Sequence, residues 1–236
     1  MKYEGKNAVL ELLKIDKTID KILLRKNAQD SLGRIFAEAR KKGVRVQFVD
    51  EKALDRESET GRHQGVIAYA TDFVYADFTE ILQSEGENRL VVVCDGLEDV
   101  HNLGSVIRVA ECAGAAGVVI PKNKSAQVNE SVMRISEGAA NHVKIARVPG
   151  VNYAVEELKK NGFWVYALEA EGESLYETDL RGDVALVIGG EDSGVGALTK
   201  KKCDKVLSLP MRGKINSLNA SVALGAAVYE VLRQKR

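Results

Sequence analysis

Three stretches of this 236-residue chain set glycine beside polar and cationic side chains where an apolar run gives way to a turn. The first follows Cys94 and holds Asn102, Gly104, Ser105 and Arg108. The second is GGEDSGVG at 189–196, with Gly189, Gly190, Glu191 and Gly194. The third spans 209–219 and carries Leu209, Met211, Arg212, Gly213, Lys214, Ser217, Leu218 and Asn219. Glycine lets a backbone approach a ligand and exposes its N–H groups. Arginine grips a phosphate through two parallel N–H donors. Each stretch also has a plainer reading. Asn102 and Ser217 are good helix N-caps, 189–196 is a glycine-rich turn with Glu191 exposed, and Arg108 is a solvated helix arginine. Arg108 sits among Val106, Ile107, Val109 and Ala110, and a cation near a helix start opposes the macrodipole; a bound phosphate would account for it. The second stretch is neither GxGxxG nor GxxxxGK[ST], so the dinucleotide and Walker arguments do not apply. A fourth candidate lies further forward. Arg62, His63 and Gln64 occupy a loop bounded by Gly61 and Gly65, which is either an RNA-contacting tip or a hydrophilic surface loop.

The elements around these stretches alternate. In the front part, 20–26 reads as a strand, 29–43 as an amphipathic helix with Leu32, Ile35, Phe36 and Ala39 on one side and Gly43 as its stop, 44–49 as a strand, 50–59 as a polar helix and 65–71 as a strand. Residues 76–89 then bring Asp77, Glu80, Glu85 and Glu87 against Arg89, an acidic connection between a mildly basic front and a neutral back. This divides the chain into a domain at 1–75, a linker at 76–89 and a domain at 90–236. Beyond the linker, strands are expected at 89–95, 117–121, 143–148, 163–170, 184–189 and 205–209, and helices at 102–115, 129–140, 152–162 and 217–236. Such alternation argues an α/β fold with a parallel sheet covered on both faces, where ligands sit beyond the carboxyl ends of the strands. The last helix carries Ala220, Ser221, Ala223, Gly225 and Ala226. Small residues at this density imply close helix packing, across a subunit interface or within one subunit.

Composition narrows the function. Apolar residues make up 45%, charged residues 29%, and 34 basic side chains balance 34 acidic ones. That is an ordinary globular composition, and zero net charge leaves nucleic-acid binding to a local patch. Cys94, Cys112 and Cys203 are odd in number and far apart, so neither a disulfide framework nor a zinc ribbon is supported. His63, His101 and His142 are scattered, so no metal is expected. No apolar stretch is long enough to span a membrane and the first residues do not read as a signal peptide; a cytoplasmic protein is expected. The basic run Lys200–Lys202 and the terminal RQKR read as solubilising.

The three stretches together resemble the motifs of the SpoU (TrmH-type) branch of the SPOUT RNA 2′-O-ribose methyltransferases. Asn102, Gly104 and Arg108 match the first motif. Gly190, Glu191, Gly194 and Val195 match the second. Pro210, Met211, Gly213, Ser217, Leu218, Asn219, Ala220 and Ser221 match the third. The likeness covers 90–236, and the front unit, with HQGV at 63–66, is similar to the family's ribosomal-protein-like (L30e-type) substrate-binding domain. The resemblance implies a C-terminal trefoil knot, which the general rule against knots would reject, and a homodimer with the last helix at the interface. It implies S-adenosyl-L-methionine held by Leu168, Glu169 and Ala170, by Gly189, Gly190 and Glu191, and by Leu209, Met211, Leu218 and Ala220. It implies Arg108, Asn102, Glu191, Ser217 and Asn219 as the catalytic group, and Arg62, His63, Gln64 and Arg108 as RNA contacts. The two-domain arrangement points to a guanosine ribose of 23S rRNA. The alternatives are tRNA as substrate, or a non-catalytic RNA-binding ribosome assembly factor.

Overall fold

The computed structural model describes residues 1–15, 17–26, 29–191 and 193–235; Asp192 of the second stretch and Arg236 of the basic terminus lie outside them. The chain divides into two compact units, Met1–Val74 and Tyr75–Arg236. The first contains β1 (Lys2–Glu4), α1 (Lys6–Lys14), β2 (Thr18–Arg25), α2 (Gln29–Lys41), β3 (Val46–Val49), α3 (Glu51–Glu57) and β4 (Val66–Thr71). Its sheet runs β1-β4-β2-β3, with β2 and β3 parallel and the other pairs antiparallel. Val9, Leu12 and Leu13 of α1 and Leu32, Ile35 and Ala39 of α2 are buried with Ile22, Leu24, Val66 and Ala68 of the sheet. Leu54 of α3 packs with Leu23 and Ile67. The sequence pattern had not marked β1, which is too short to display a period of two, nor α1.

Glu4 ends β1 and ties the unit together. Its carboxylate accepts from the Glu59 N–H at 2.6 Å, the Thr60 N–H at 3.2 Å and the Ser58 hydroxyl at 2.7 Å, and also from the Thr60 hydroxyl. Burial pushes this carboxyl up, but the donors outweigh it and bring it down to about 2.

The second unit contains α4 (Phe78–Leu82), β5 (Leu90–Asp95), α5 (Val100–Cys112), β6 (Gly117–Pro121), α6 (Glu130–Ile135), β7 (Ile145–Val148), α7 (Val151–Lys160), β8 (Trp164–Ser174), β9 (Val184–Gly189), α8 (Ala197–Lys202), β10 (Lys205–Ser208) and α9 (Ala220–Gln234). The sheet order is β10-β8-β9-β5-β6-β7, with every pair parallel. Its central strands are buried on both faces, which is why they read as unbroken apolar runs. One face packs α4 and α7, through Phe78, Ile81, Val151, Val155 and Leu158, against Val91, Val93, Ala185 and Val187. Helices α5 and α9 pack on each other and on β6 and β9.

Two expectations need correction. Residues 76–89 are not a linker. Ala76 bridges to Ala146, Asp77 and Glu80 form a reciprocal capping box, and Phe78, Ile81 and Leu82 enter the core. The helix expected over 129–140 stops at Ile135, because Glu137 at φ 50° and Gly138 at φ 86° turn the chain into a short 3-10 turn at Ala139–Asn141.

The residues that lead into β5 are sewn to the β9 approach and to the end of α9. Arg89 Nε and Nη2 donate to Asp183 Oδ2 at 3.0 and 2.6 Å, and Lys235 Nζ donates to the Asn88 and Arg89 carbonyls at 2.7 and 3.2 Å. Burial pushes the Lys235 ammonium down to about 8, against the pull of Asp183.

Two expected outcomes test this packing. A Cβ at Gly117 would lie 2.4 Å from Ile81 Cδ1 and 2.9 Å from the Lys144 carbonyl, whereas one at Gly33 meets nothing within 4 Å. Gly117→Ala should therefore cost about 1–3 kcal/mol in urea unfolding, and helical Gly33→Ala should stabilise by about 0.5–1 kcal/mol. Glu4 binds its proton less readily folded than unfolded, so its stabilisation is present above its ordinary value of 4.5 and is lost as pH falls through about 2. Glu4→Gln should flatten the acid-unfolding curve of the front unit in that window.

Candidate active site

Asp99 caps α5, its carboxylate accepting from the His101 N–H at 2.8 Å. Asn102 is therefore not the cap. It lies in the first turn, 4% exposed, with its amide free to reach across the site. Asn219, not Ser217, caps α9, accepting from the Ser221 and Val222 N–H groups at 3.0 and 3.4 Å. That fixes the Asn219 carbonyl toward its own helix and turns its NH₂ outward. The NH₂ donates to Glu191 Oε1 at 2.5 Å and to Asn102 Oδ1 at 2.8 Å, and the Asn102 NH₂ donates to the same Glu191 oxygen at 3.0 Å. One carboxylate oxygen thus joins all three motif stretches.

Beside this node lies a cleft of about 330 Å³ at the carboxyl ends of β9 and β10, walled by the middle of β8. Its lining includes every residue expected to hold a cofactor, namely Leu168, Glu169, Ala170, Gly189, Gly190, Glu191, Leu209, Met211, Leu218 and Ala220, together with Ser217. Ile188, Ser193, Leu207 and Ala223 also line it and carried no signal in the sequence. The glycines are required by close approach. A Cβ at Gly189 would sit 2.0 Å from the Gly194 carbonyl carbon, and one at Gly190 would sit 2.6 Å from the Gly96 oxygen. Glu169 accepts from the Val195 N–H at 2.6 Å and pairs with Lys200 at 3.6 Å, which pins the loop against β8.

Arg108 is placed differently from expectation. It falls past the middle of α5, so the macrodipole argument drops away. Six residues beyond Asn102, it lies about 9 Å further along the axis and about 240° round the helix. It does not line the cleft of its own chain; its Nη1 donates to Glu137 Oε1 at 2.7 Å. In the front unit Arg62 is exposed, but His63 is 6% exposed and engaged inside the fold. Its Nδ1 accepts from the Gly65 N–H at 3.0 Å and its Nε2 faces Asp55 Oδ1 at 3.0 Å. The Gln64 carbonyl accepts from the Lys6 N–H at the start of α1. His63 thus shapes the loop from inside the fold, while Gln64 shapes it from an exposed position.

Among the described residues no cluster of three metal-ligating side chains occurs, and no helix is long and apolar enough to cross a membrane. Burial pushes the Cys94 and Cys203 thiols up to about 12, away from thiolate reactivity.

This geometry has counterparts. Residues 89–229 match the family described as SpoU rRNA methylase, and residues 3–76 match a family described as RNA 2′-O ribose methyltransferase substrate binding. The chain belongs to the SpoU rRNA methylase family, and its front unit is of the substrate-binding kind. It is 40% identical to a putative TrmH family tRNA/rRNA methyltransferase, YacO, of Bacillus subtilis, over 98% of this chain and 94% of that one. It is also 40% identical to the 23S rRNA (guanosine-2′-O-)-methyltransferase RlmB of Xanthomonas axonopodis pv. citri, over 98% and 95%. Among solved structures, the SpoU methyltransferase AviRb of Streptomyces viridochromogenes, in complex with AdoMet, shares the fold at a TM-score of 0.63 and 24% identity, over 99% of this chain and 90% of that one. The A. aeolicus TrmH/SpoU tRNA modifying enzyme matches at a TM-score of 0.57 and 30% identity, over 66% of this chain and 79% of its own.

Asn219 does two jobs that substitution can separate. Asn219→Ala should cost about 1–2 kcal/mol in urea unfolding through the lost cap. Asn219→Ser keeps a capping oxygen but not the amide donors, so it should recover most of that loss while leaving Glu191 with the Asn102 amide as its donor. An equal loss in both variants would assign the stabilisation to the node instead.

Proposed function

We propose that the chain is an S-adenosyl-L-methionine-dependent RNA methyltransferase that methylates a ribose 2′-hydroxyl, that of a guanosine in 23S rRNA. The observation that carries this reading is the Asn102–Glu191–Asn219 node, which ties the three motif stretches together beside a glycine-built cleft. The cleft suits the cofactor chemically. Leu168, Leu209, Met211 and Leu218 offer an apolar slot for adenine, the glycines at 189 and 190 allow close backbone approach, and Glu169 and Glu191 give the lining a negative character that suits a sulfonium. Its size falls within the range of small-molecule sites. When bound, S-adenosylmethionine supplies an electrophilic methyl group and departs as a neutral thioether.

The protein's part is alignment and proton handling. A guanidinium keeps its charge at any working pH. Arg108 therefore acts as a cation, gripping a substrate phosphate and stabilising negative charge that develops on the ribose oxygen as the new C–O bond forms, the methyl–sulfur bond breaks and the hydroxyl proton passes to water. Glu191 and Asn102 hold the α5 end of the site in place, and Ser217 and Asn219 shape the pocket on the α9 side. Because Arg108 lies outside the cleft of its own chain, we take the site to be completed by a second copy. Val222 and Tyr229, each 55% exposed on α9, offer an apolar contact for such a dimer. On this reading the passage at 209–219 is knotted, the front unit contacts RNA through Arg62, and the enzyme works in the cytoplasm. The tRNA reading draws on the A. aeolicus relative, yet that match covers 66% of this chain, and the separate front unit favours a larger RNA.

The test is methyl transfer from radiolabelled S-adenosylmethionine to 23S rRNA and, separately, to bulk tRNA, followed by mapping of 2′-O-methyl sites. Label in a 23S guanosine is expected. Arg108→Ala should lose turnover by about 10²-fold or more, as for loss of a charge-stabilising group, with cofactor affinity kept. Label in tRNA alone would move the substrate, and no label on either would leave a binding protein.

A further inference from the structure

We propose that Glu137 is the resting partner of Arg108, its carboxylate standing where a phosphate of the substrate RNA binds, so that substrate capture exchanges one anion for another. The inference rests on the reading of Arg108 as the phosphate-gripping cation of a methyl-transfer site. The contact is a single N–H···O bond, from Arg108 Nη1 to Glu137 Oε1 at 2.7 Å, between side chains 51% and 68% exposed. Exposed pairs of this kind are weak. They orient a long side chain without committing it. A phosphodiester presents two oxygens to the planar guanidinium fork and can replace one hydrogen bond by two.

The backbone puts the carboxylate there by construction. Gly104 and Arg108 are four residues apart in α5 and so share a helix face. A Cβ at Gly104 would lie 2.6 Å from Ile135 Cγ2 and 3.3 Å from the Ser136 nitrogen. The end of α6 is thus pressed against α5 one turn before Arg108. Two residues past Ile135 the chain bends at Glu137, with φ of 50°. Left-handed backbone is disfavoured for a residue bearing a Cβ, and glycine follows at once at 138. A glutamate kept at such a bend, with its carboxylate on the arginine one turn along, is placed for that arginine. Glu137 touches no other part of the proposed chemistry, so it is a positioning residue and not a catalytic one.

The experiment is steady-state methylation of the RNA that the wild-type enzyme modifies, over a series of KCl concentrations, for wild type and for Glu137→Gln, Glu137→Gly and Glu137→Asp. Gln keeps the shape, and Gly relieves the backbone bend, so misfolding cannot explain a shared result. Both should lower KM for RNA by about two- to five-fold, the scale of an exposed ion pair, without a fall in kcat. Both should also steepen the dependence of log KM on log salt by about one released counterion, which a merely structural role would not move. Asp, which keeps the charge, should stay near wild type. If Gln and Gly leave KM unchanged or raise it, or lower kcat about tenfold, the exchange is wrong even with an active, Arg108-dependent enzyme. A wild type inactive on every RNA, or an Arg108→Ala variant that turns over normally, would instead overturn the reading on which it rests.

Discussion

The second unit is organised around one carboxylate oxygen. Glu191 Oε1 receives the amide groups of both Asn102 and Asn219, and the three residues come from the α5 start, the β9 exit and the α9 cap. Hydrogen bonds to a charged acceptor are about twice as strong as neutral ones. Here they also set the orientation of both amides without ambiguity. The Asn219 oxygen is committed to its helix, so its nitrogen must face Glu191, and the Asn102 oxygen, receiving that nitrogen, leaves its own for the same carboxylate. The arrangement is self-consistent, and it closes one end of a segment, 209–219, that has no regular structure of its own.

Glycine supplies what the node cannot. The loop after β9 folds back so tightly that Gly190 bridges to Gly194, and Gly189 lies against the peptide of Gly194 and Val195. A side chain at either position would fill the cleft wall or force the loop open. The acidic grip of Glu169 on the Val195 N–H then holds the fold-back against β8. Binding surface, backbone curvature and charge are therefore set by the same few residues, which leaves little room for independent change in any of them.

The strands of the second unit and the convergence of the three loops were legible in the sequence, for different reasons. Strands buried on both faces, such as Leu90–Asp95 and Val184–Gly189, betray themselves as continuous apolar runs. The loops were legible through their match to a family pattern, since local composition alone left N-caps and turns as equal readings. What failed was decided by which of several competing polar groups won each backbone or side-chain partner. Asp99 took the cap that suited Asn102, moving the helix start back and Arg108 past its middle. His63 is polar and looks free, but the fold buries it against Asp55, whereas Gln64 stays exposed with only its side-chain oxygen engaged by the Lys6 N–H. The stretch 76–89 read as a linker because its charges dominate; the pattern of Asp77 and Glu80 around Phe78, Ile81 and Leu82 is a capping box with an apolar face. Nothing in the sequence marked Glu137, whose importance depends on a backbone angle and on a helix contact made through Gly104.

The seam formed by Asn88, Arg89, Asp183 and Lys235 has a consequence for architecture. The residues that lead into β5, the β9 approach and the last turn of α9 are fastened to one another, so the bottom of the sheet and the final helix are held as one piece. Fraying of the last turn of α9 would therefore be felt at once where central strand β5 begins, far along the chain from it.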